Sequence, residues 1–408
     1  MLERINTAKG FVDTPLKYAA RVIGVQKQSH LSVRKIIPTR NFRRCVVKPR
    51  FITAAILFFQ TLIPAAAPPL AFGANGYTVF KSHAAIVEKA RQEQKLKVFT
   101  TMDPETSGFL KQAFQKKYPF IKDIQIMEIA GTAATQRLLL QIQGGNSDAD
   151  VVYTSEDFFD QYIPYGKKLD LLGMAQQRVL DIPVKMIDPE SRKALAVSTH
   201  FGVVAYNKCR LTETQVPDRW EDFLKPEFKD KKFVVDIRPF VYQSYAAGAG
   251  EEWMIDFATK IAAQKPIWFR GATRALSLIA NGEFLLHSAI NYNSSVRSLR
   301  KDKTGCLAFR VVEPVPVRLA EPEIILETAP HAHAGLLWLE FLASPEAQSI
   351  IDEYEPLKSS MYVSGSAVEK ALRGKKIWLK DWKHYEKGPN WMSMAVKTFG
   401  FPKAEKGR

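Results

Sequence analysis

The chain has 408 residues, 46% of them hydrophobic and 25% charged, with a formal net charge of +16. That length exceeds what a single small core serves and predicts two domains or one large α/β unit. Residues 1–50 hold 12 Lys and Arg against two acids, Glu3 and Asp13, and so supply +10 of the charge, while the rest of the chain carries 46 basic and 40 acidic residues. The body is therefore mildly basic rather than a polycation, and nucleic acid is excluded as its expected partner.

Residues 40–76 read as a secretory signal. A basic cluster (Arg40, Arg43, Arg44, Lys48, Arg50) precedes the apolar run FITAAILFFQTLI and then PAAAPPLAFGA. The run Phe51 to Ile63 is 13 residues interrupted by Gln60, short of the ~20 that a spanning helix needs. Cleavage is expected near Ala74 or Asn75, leaving about 334 residues, with an uncleaved anchor as the alternative. The leader, 1–74, is long for its task, and an upstream misassigned start codon would account for residues 1–40. Cys45 precedes the apolar run, which argues against lipoprotein processing. Cys209 and Cys306 remain in the body, where an oxidising compartment allows a disulfide and two buried thiols are the other reading; no C-x-x-C spacing points to a metal.

In chain order, a polar helix from near Ala84 closes at Gln94. A short strand, Leu96 to Phe99, then ends in the polar loop Thr100 to Glu105. Phe109, Ala113 and Phe114 face one side of an amphipathic helix halted at Tyr118-Pro119, and a strand follows at Ile124 to Ile129. The unit then recurs. AATQRLLLQIQ is helical and stops at Gly144-Gly145, and the strand Asp150 to Tyr153 empties into Thr154, Ser155 and Glu156. Farther on, Lys232 to Val235 delivers Asp236-Ile237-Arg238-Pro239, and Phe284 to Ile290 delivers Asn291-Tyr292-Asn293-Ser294-Ser295.

Four strands thus end in hydrogen-bonding residues, and in open α/β sheets ligands sit beyond the carboxyl ends of the strands. The loops are expected to converge on one cleft holding Thr101, Asp103, Thr154, Ser155, Arg238, Arg270, Asn291, Tyr292 and Asn293. No P-loop, H-E-x-x-H or G-x-S-x-G occurs, and Gly248-Ala249-Gly250 lacks a third glycine at Trp253. A hydrolase or metalloenzyme would need a nucleophile with its base, or a metal cluster, so the expectation is a binding protein with no catalytic residue, metal or cofactor. His331-Ala332-His333 opens an apolar helix, where rings at i and i+2 diverge and do not share one metal. His200 and His287 lie within apolar strand-like runs and read as core histidines.

Several segments, in order, carry a family resemblance: IVEKARQEQKLKVFTT, RLLLQIQGGNSDADVVYTSED, FGVVAYNK, WEDFLKPEFKDKKFVVD, ATRALSLIANGEFLLHSAINYN and HAGLLWLEFLASPEAQSII. Following a signal peptide, they resemble the periplasmic solute-binding proteins of ABC transporters, closest to the ferric-iron-binding branch. The resemblance implies a two-lobed α/β fold of the type 2 periplasmic-binding class with a hinge of crossing strands. Lobe 1 would comprise 75–201 and 308–360, lobe 2 would comprise 202–307, and a C-terminal helical segment, 361–408, would pack on lobe 2. Ala205 to Lys208 would be one crossing and Leu307 to Val312 another, and Ser344-Pro345-Glu346 would start the helix that follows Ala343. It further implies a monomer in the periplasm that delivers a small-molecule solute to an inner-membrane ABC permease.

The sequence departs from the iron pattern of that branch. Iron binders of this kind carry adjacent tyrosines where this chain reads Asn291-Tyr292-Asn293-Ser294, and often a histidine where it reads Thr100-Thr101-Met102-Asp103. Arg238, and Arg270 before the helix start Gly271-Ala272-Thr273, favour an anion instead. The expected solute is a small anionic or zwitterionic organic molecule such as a carboxylate, phosphonate or phosphate ester, with ferric iron or an iron chelate as the alternative.

Overall fold

A computed structural model describes residues 71–72 and 76–400; the expected leader and its cleavage site lie outside the described residues. A two-stranded ribbon of β1 (Ala71–Phe72) and β2 (Thr78–Val79) precedes α1 (His83–Glu93). Ser82 caps α1 through its hydroxyl and Gln94 closes it in the left-handed conformation. Then come β3 (Lys95–Thr100), α2 (Pro104–Lys117), β4 (Asp123–Glu128), α3 (Thr132–Gln143) and β5 (Val151–Tyr153), each within about a residue of the sequence reading. Two short helices, α4 (Phe159–Tyr162) and α5 (Leu171–Gln176), lead to β6 (Ala194–Asn207), a strand buried along nearly all its length.

The second stretch runs β7 (Val234–Asp236), α6 (Val241–Ala249), α7 (Glu251–Ala263), β8 (Ile267–Phe269), α8 (Ala272–Ala280), β9 (Leu286–Asn291), α9 (Tyr292–Lys301) and β10 (Leu307–Arg310). The chain returns along β11 (Val315–Ile325) to α10 (Ala332–Leu342) and α11 (Pro345–Tyr354), the latter capped by Ser344 with Pro345 at its first position. It ends with α12 (Ala367–Leu372), β12 (Ile377–Lys380) and α13 (Gly388–Phe399).

One sheet runs through the molecule in the order β4-β3-β5-β11-β6-β9-β7-β8, with β10 added to β6 and β12 to β11. The outer strands are parallel, while β11 and β6 run antiparallel to each other and to β5 and β9 respectively. Residues 194–201 of β6 pair with β11, and residues 202–206 pair with β9. β6 is thus one continuous strand shared by two lobes.

Burial follows the same division. One core holds β3, β5, α10 and β6 as far as Val197, together with Leu319 to Leu326. Beyond the junction, alternation along β6 sends Val204 and Tyr206 to one face and Val203 and Ala205 to the other, so the second lobe has a core on each side of its sheet. At the junction a Cβ on Gly202 would lie 2.7 Å from Val241 Cγ1 and 3.0 Å from Pro316 Cγ, a closeness that only glycine allows.

The crossings differ from the sequence reading. Ala205 to Asn207 lies well inside the second lobe, paired with β10, and the chain passes between lobes upstream, near Phe201 and Gly202. β10 does not return to the first lobe; it pairs with residues 204–207 of β6, and the return is made by β11, with Val315 and Val317 in a second-lobe core and Leu319 in the first. The strand was hidden because Pro316 and Pro322, with Arg318, Glu321 and Glu323, interrupt its apolar pattern. The C-terminal segment touches all three cores, through Trp382 and Tyr385, through Trp391 and Phe399, and through Val368 and Leu372. Cys209 and Cys306 form a disulfide across a 97-residue separation, closing the second lobe on itself.

Candidate functional site: a cleft at the crossing strands

Three adjoining cavities of about 220, 190 and 320 Å³ lie where the lobes meet, and His200 of β6 lines all of them. The first is walled by the second lobe (Val235, Asp236, Arg238 to Tyr242, Ser244, Ala272, Ser288 to Asn291) and floored by Gly202, Pro316 and Arg318. The second is walled by the first lobe (Thr101, Gly131, Thr132, Tyr153, Ser155 to Asp157) and reached by Phe240 from the other side. In the third, Thr101, Asp103 and Gly131 face Asn291, Asn293, Ser294 and Arg297.

Of the residues expected at a cleft, Thr101, Asp103, Ser155, Arg238, Asn291 and Asn293 line these cavities. Asp103 starts α2 without capping it and lies 3.5 Å from the Arg297 guanidinium. Ser155 accepts the Asp157 N–H, and Asn293 donates to the Pro356 carbonyl at 2.8 Å. Arg238 is exposed, its backbone N–H held by Asp236 at 2.8 Å.

The other three are not brought there. Thr154 is completely buried and gives both its N–H and its hydroxyl to the Pro322 carbonyl, because β5 pairs with β11. Tyr292 packs edge-on against Phe201 and Phe309 in a second-lobe core, and burial raises its phenol pKa. Arg270 is exposed ahead of α8, where its charge acts on Asp236, and lines none of the three cavities.

The floor is a charged network that the strand-end reasoning missed. Arg318 on β11 pairs with Glu156, which also takes Lys380 of β12 at 3.2 Å. Lys380 is almost wholly buried and lies 4.2 Å over the Tyr385 ring. Burial opposes ionisation of Glu156, but Arg318 and Lys380 outweigh it and hold the carboxyl below its usual range. Beside it, Lys358 bridges Glu355 at 2.8 Å and Glu321 at 3.1 Å, and Ser198 donates to Glu321 at 2.6 Å. Burial would raise Glu321, yet Lys358 and its other partners bring it down to about 2. The sequence signal was present: charged residues inside an otherwise apolar strand are rare unless paired or functional.

His200 joins the two halves of this network. Its Nδ1 lies 3.0 Å from an Arg318 nitrogen, and a guanidinium only donates, so Nδ1 accepts and the proton sits on Nε2. Burial, with the Arg318 charge, lowers the imidazole to about 4, so the ring is neutral near pH 7. Nε2 is buried without a partner among the described residues, as is Oδ1 of Asn291. Arg318 lies 5.2 Å over the Phe240 ring, linking β11 to the loop after β7. Two helices begin here without side-chain caps, α3 behind Gly131 and α9 behind Asn291, and uncapped first-turn N–H groups favour negative charge.

Among the described residues no cluster of three or more His, Cys, Asp or Glu side chains is arranged to hold a metal ion. His331 and His333 instead serve the start of α10, His331 paired with Asp150 at 3.0 Å and His333 with Glu93. No described helix is long and apolar enough to cross a membrane.

The fold has many solved counterparts. Ferric iron-binding protein A of Mannheimia haemolytica in an open conformation superposes with a TM-score of 0.59 at 19% identity, covering 75% of this chain and 99% of that one. Apo ferric ion-binding protein A of Pasteurella haemolytica gives 0.58 at 18% identity, covering 76% and 100%. A substrate-binding protein of an ABC transporter from Agrobacterium tumefaciens gives 0.54 at 15% identity, covering 76% and 96%. No curated protein matches by sequence. These likenesses establish the two-lobed periplasmic-binding fold, and a family profile matches residues 146–387, more than half of the chain: it belongs to the bacterial extracellular solute-binding proteins.

Proposed function

We propose that the protein is the solute-binding subunit of an ABC importer. It is exported by the 1–74 leader, traps a small zwitterionic organic solute between its lobes, and passes it to an inner-membrane permease as a monomer. The observation that carries this reading is the meeting of three cavities, walled from both lobes, at the strand the lobes share. A group seated there touches both lobes at once, so binding favours their closure.

Charge narrows the solute. Seven carboxylates (Asp103, Glu128, Glu156, Asp157, Asp236, Glu321, Glu355) and four bases (Arg238, Arg297, Arg318, Lys358) line the cavities. Glu156 is matched by Arg318 and Lys380, Glu321 and Glu355 by Lys358, and Asp103 by Arg297. Glu128, Asp157 and Asp236 remain against Arg238, a balance that repels a solute carrying only negative charge. A carboxylate or phosphonate end suits Arg238 and the uncapped helix starts, and a cationic end suits Asp157 and Glu128. Native mass spectrometry of protein taken from the periplasm would identify retained solute; recovery of a neutral sugar would overturn the assignment. N-terminal sequencing of the exported form should begin near Asn75.

The second reading is ferric iron, favoured by the names of the solved counterparts. Hard Fe(III) prefers phenolate oxygen, and the ring of Tyr292 is committed to an apolar core. A visible tyrosinate-to-iron charge-transfer band on adding ferric citrate would establish that reading in place of the first.

A further inference from the structure

The proposed solute-binding role leaves the shape of the solute open, and the first cavity bears on it. Its wall is mostly apolar: Val235, Phe240, Val241, Ala289 and Ile290 surround it, with Pro316 below. Polar groups also line it, Asp236, Arg238 and Ser288 among them, and Asn291 Oδ1 has no partner among the described residues. An apolar cavity of about 150 Å³ accommodates benzene, and this one measures about 220 Å³. A bare metal ion or an inorganic oxyanion would leave that wall without contacts. The cavity adjoins the rest of the cleft, sharing His200 and Arg318 with the second cavity and Asn291 with the third.

We propose that this second-lobe chamber is a subsite for a ring-sized apolar or aromatic group of the solute, with the charged ends of the solute held at its mouth and across the cleft. This inference rests on the solute-binding reading and makes the solute an organic molecule that carries a ring.

The test separates the ring from the charge. Benzoate and benzylammonium are compared with acetate and methylammonium by calorimetry and by crystal soaks of the full mature chain, and Ala272→Leu and Ala289→Leu are made to fill the chamber. Both ring-bearing probes are expected in the chamber, each bound roughly tenfold or more tightly than its ring-free counterpart. Each variant, checked for an unchanged circular dichroism spectrum and melting transition, should remove that advantage. Rings seated elsewhere, no ring bound, or an advantage that survives both substitutions would refute the subsite. The solute recovered by native mass spectrometry separates the two readings: a ring-free zwitterion sinks the subsite and leaves the organic-solute reading standing, whereas a ferric ion sinks both.

Discussion

Glu156→Gln tests the charged floor most directly. The carboxylate is the shared partner of Arg318 and of Lys380, which is only 1% exposed and has no other acidic partner within 4 Å among the described residues. Removing one member of a buried ion pair costs about 3–5 kcal/mol. Lysine has an escape that arginine lacks, because it can fold neutral. Burial already lowers the Lys380 pKa, and giving up its proton at pH 7 costs at most about 5 kcal/mol, from ~1.36 kcal/mol per unit and an unfolded value near 10.4. At pH 9 the same limit is about 2 kcal/mol. A lysine whose folded pKa lies below its unfolded value binds fewer protons when folded, so stability rises with pH between the two values. The penalty of Glu156→Gln, measured as a difference in urea-unfolding free energy from the parent protein, should therefore be about 3–5 kcal/mol at pH 7 and shrink toward about 2 kcal/mol at pH 9. A penalty below about 1 kcal/mol at pH 7 would show that the pair is not shielded from water. A penalty of full size at both pH values would place the cost on Arg318 instead.

Three further outcomes are expected. Arg238→Gln should weaken solute binding roughly ten- to a hundredfold, the worth of a charge-assisted contact, without changing the melting transition, because the side chain is exposed; calorimetry with the recovered solute reads this, and unchanged affinity would remove Arg238 from the site. Burial holds Glu323 up at about 8, so the folded state binds the extra proton between ~4.3 and about 8 and stability falls as pH rises through that window. Glu323→Gln lacks that fall and should gain on the parent by at most about 4 kcal/mol between pH 4 and pH 7 in urea titrations, whereas a constant difference would mean an ionised Glu323. Reducing Cys209–Cys306, which spans 97 residues, should cost about 2–5 kcal/mol of stability; a melt indifferent to dithiothreitol would show that the thiols are unbridged in solution.

The solute-binding protein's layout was legible locally because its punctuation is local. Ser82, Tyr118-Pro119, Gly144-Gly145 and Ser344-Pro345 stop and start helices through their own backbone and side-chain chemistry, and the strand ends at Thr101, Asp236 and Asn291 followed from where apolar runs break. The family resemblance added the two-lobed fold, which periodicity alone did not supply. Tertiary structure decided what those strand ends do. Thr154 and Tyr292 stand beside Ser155 and Asn291 in sequence, yet pairing with β11 sends Thr154 to the Pro322 carbonyl and packing sends Tyr292 to Phe201. His200, read as a core histidine, became the common wall of three cavities, and Arg318, Glu321 and Lys358 became its charged floor, because β6 and β11 lie side by side only after the chain between them, residues 208–314, has folded. Periodicity reports which face of a strand is dry; which charge meets which across the sheet depends on long-range register, and no local pattern encodes that.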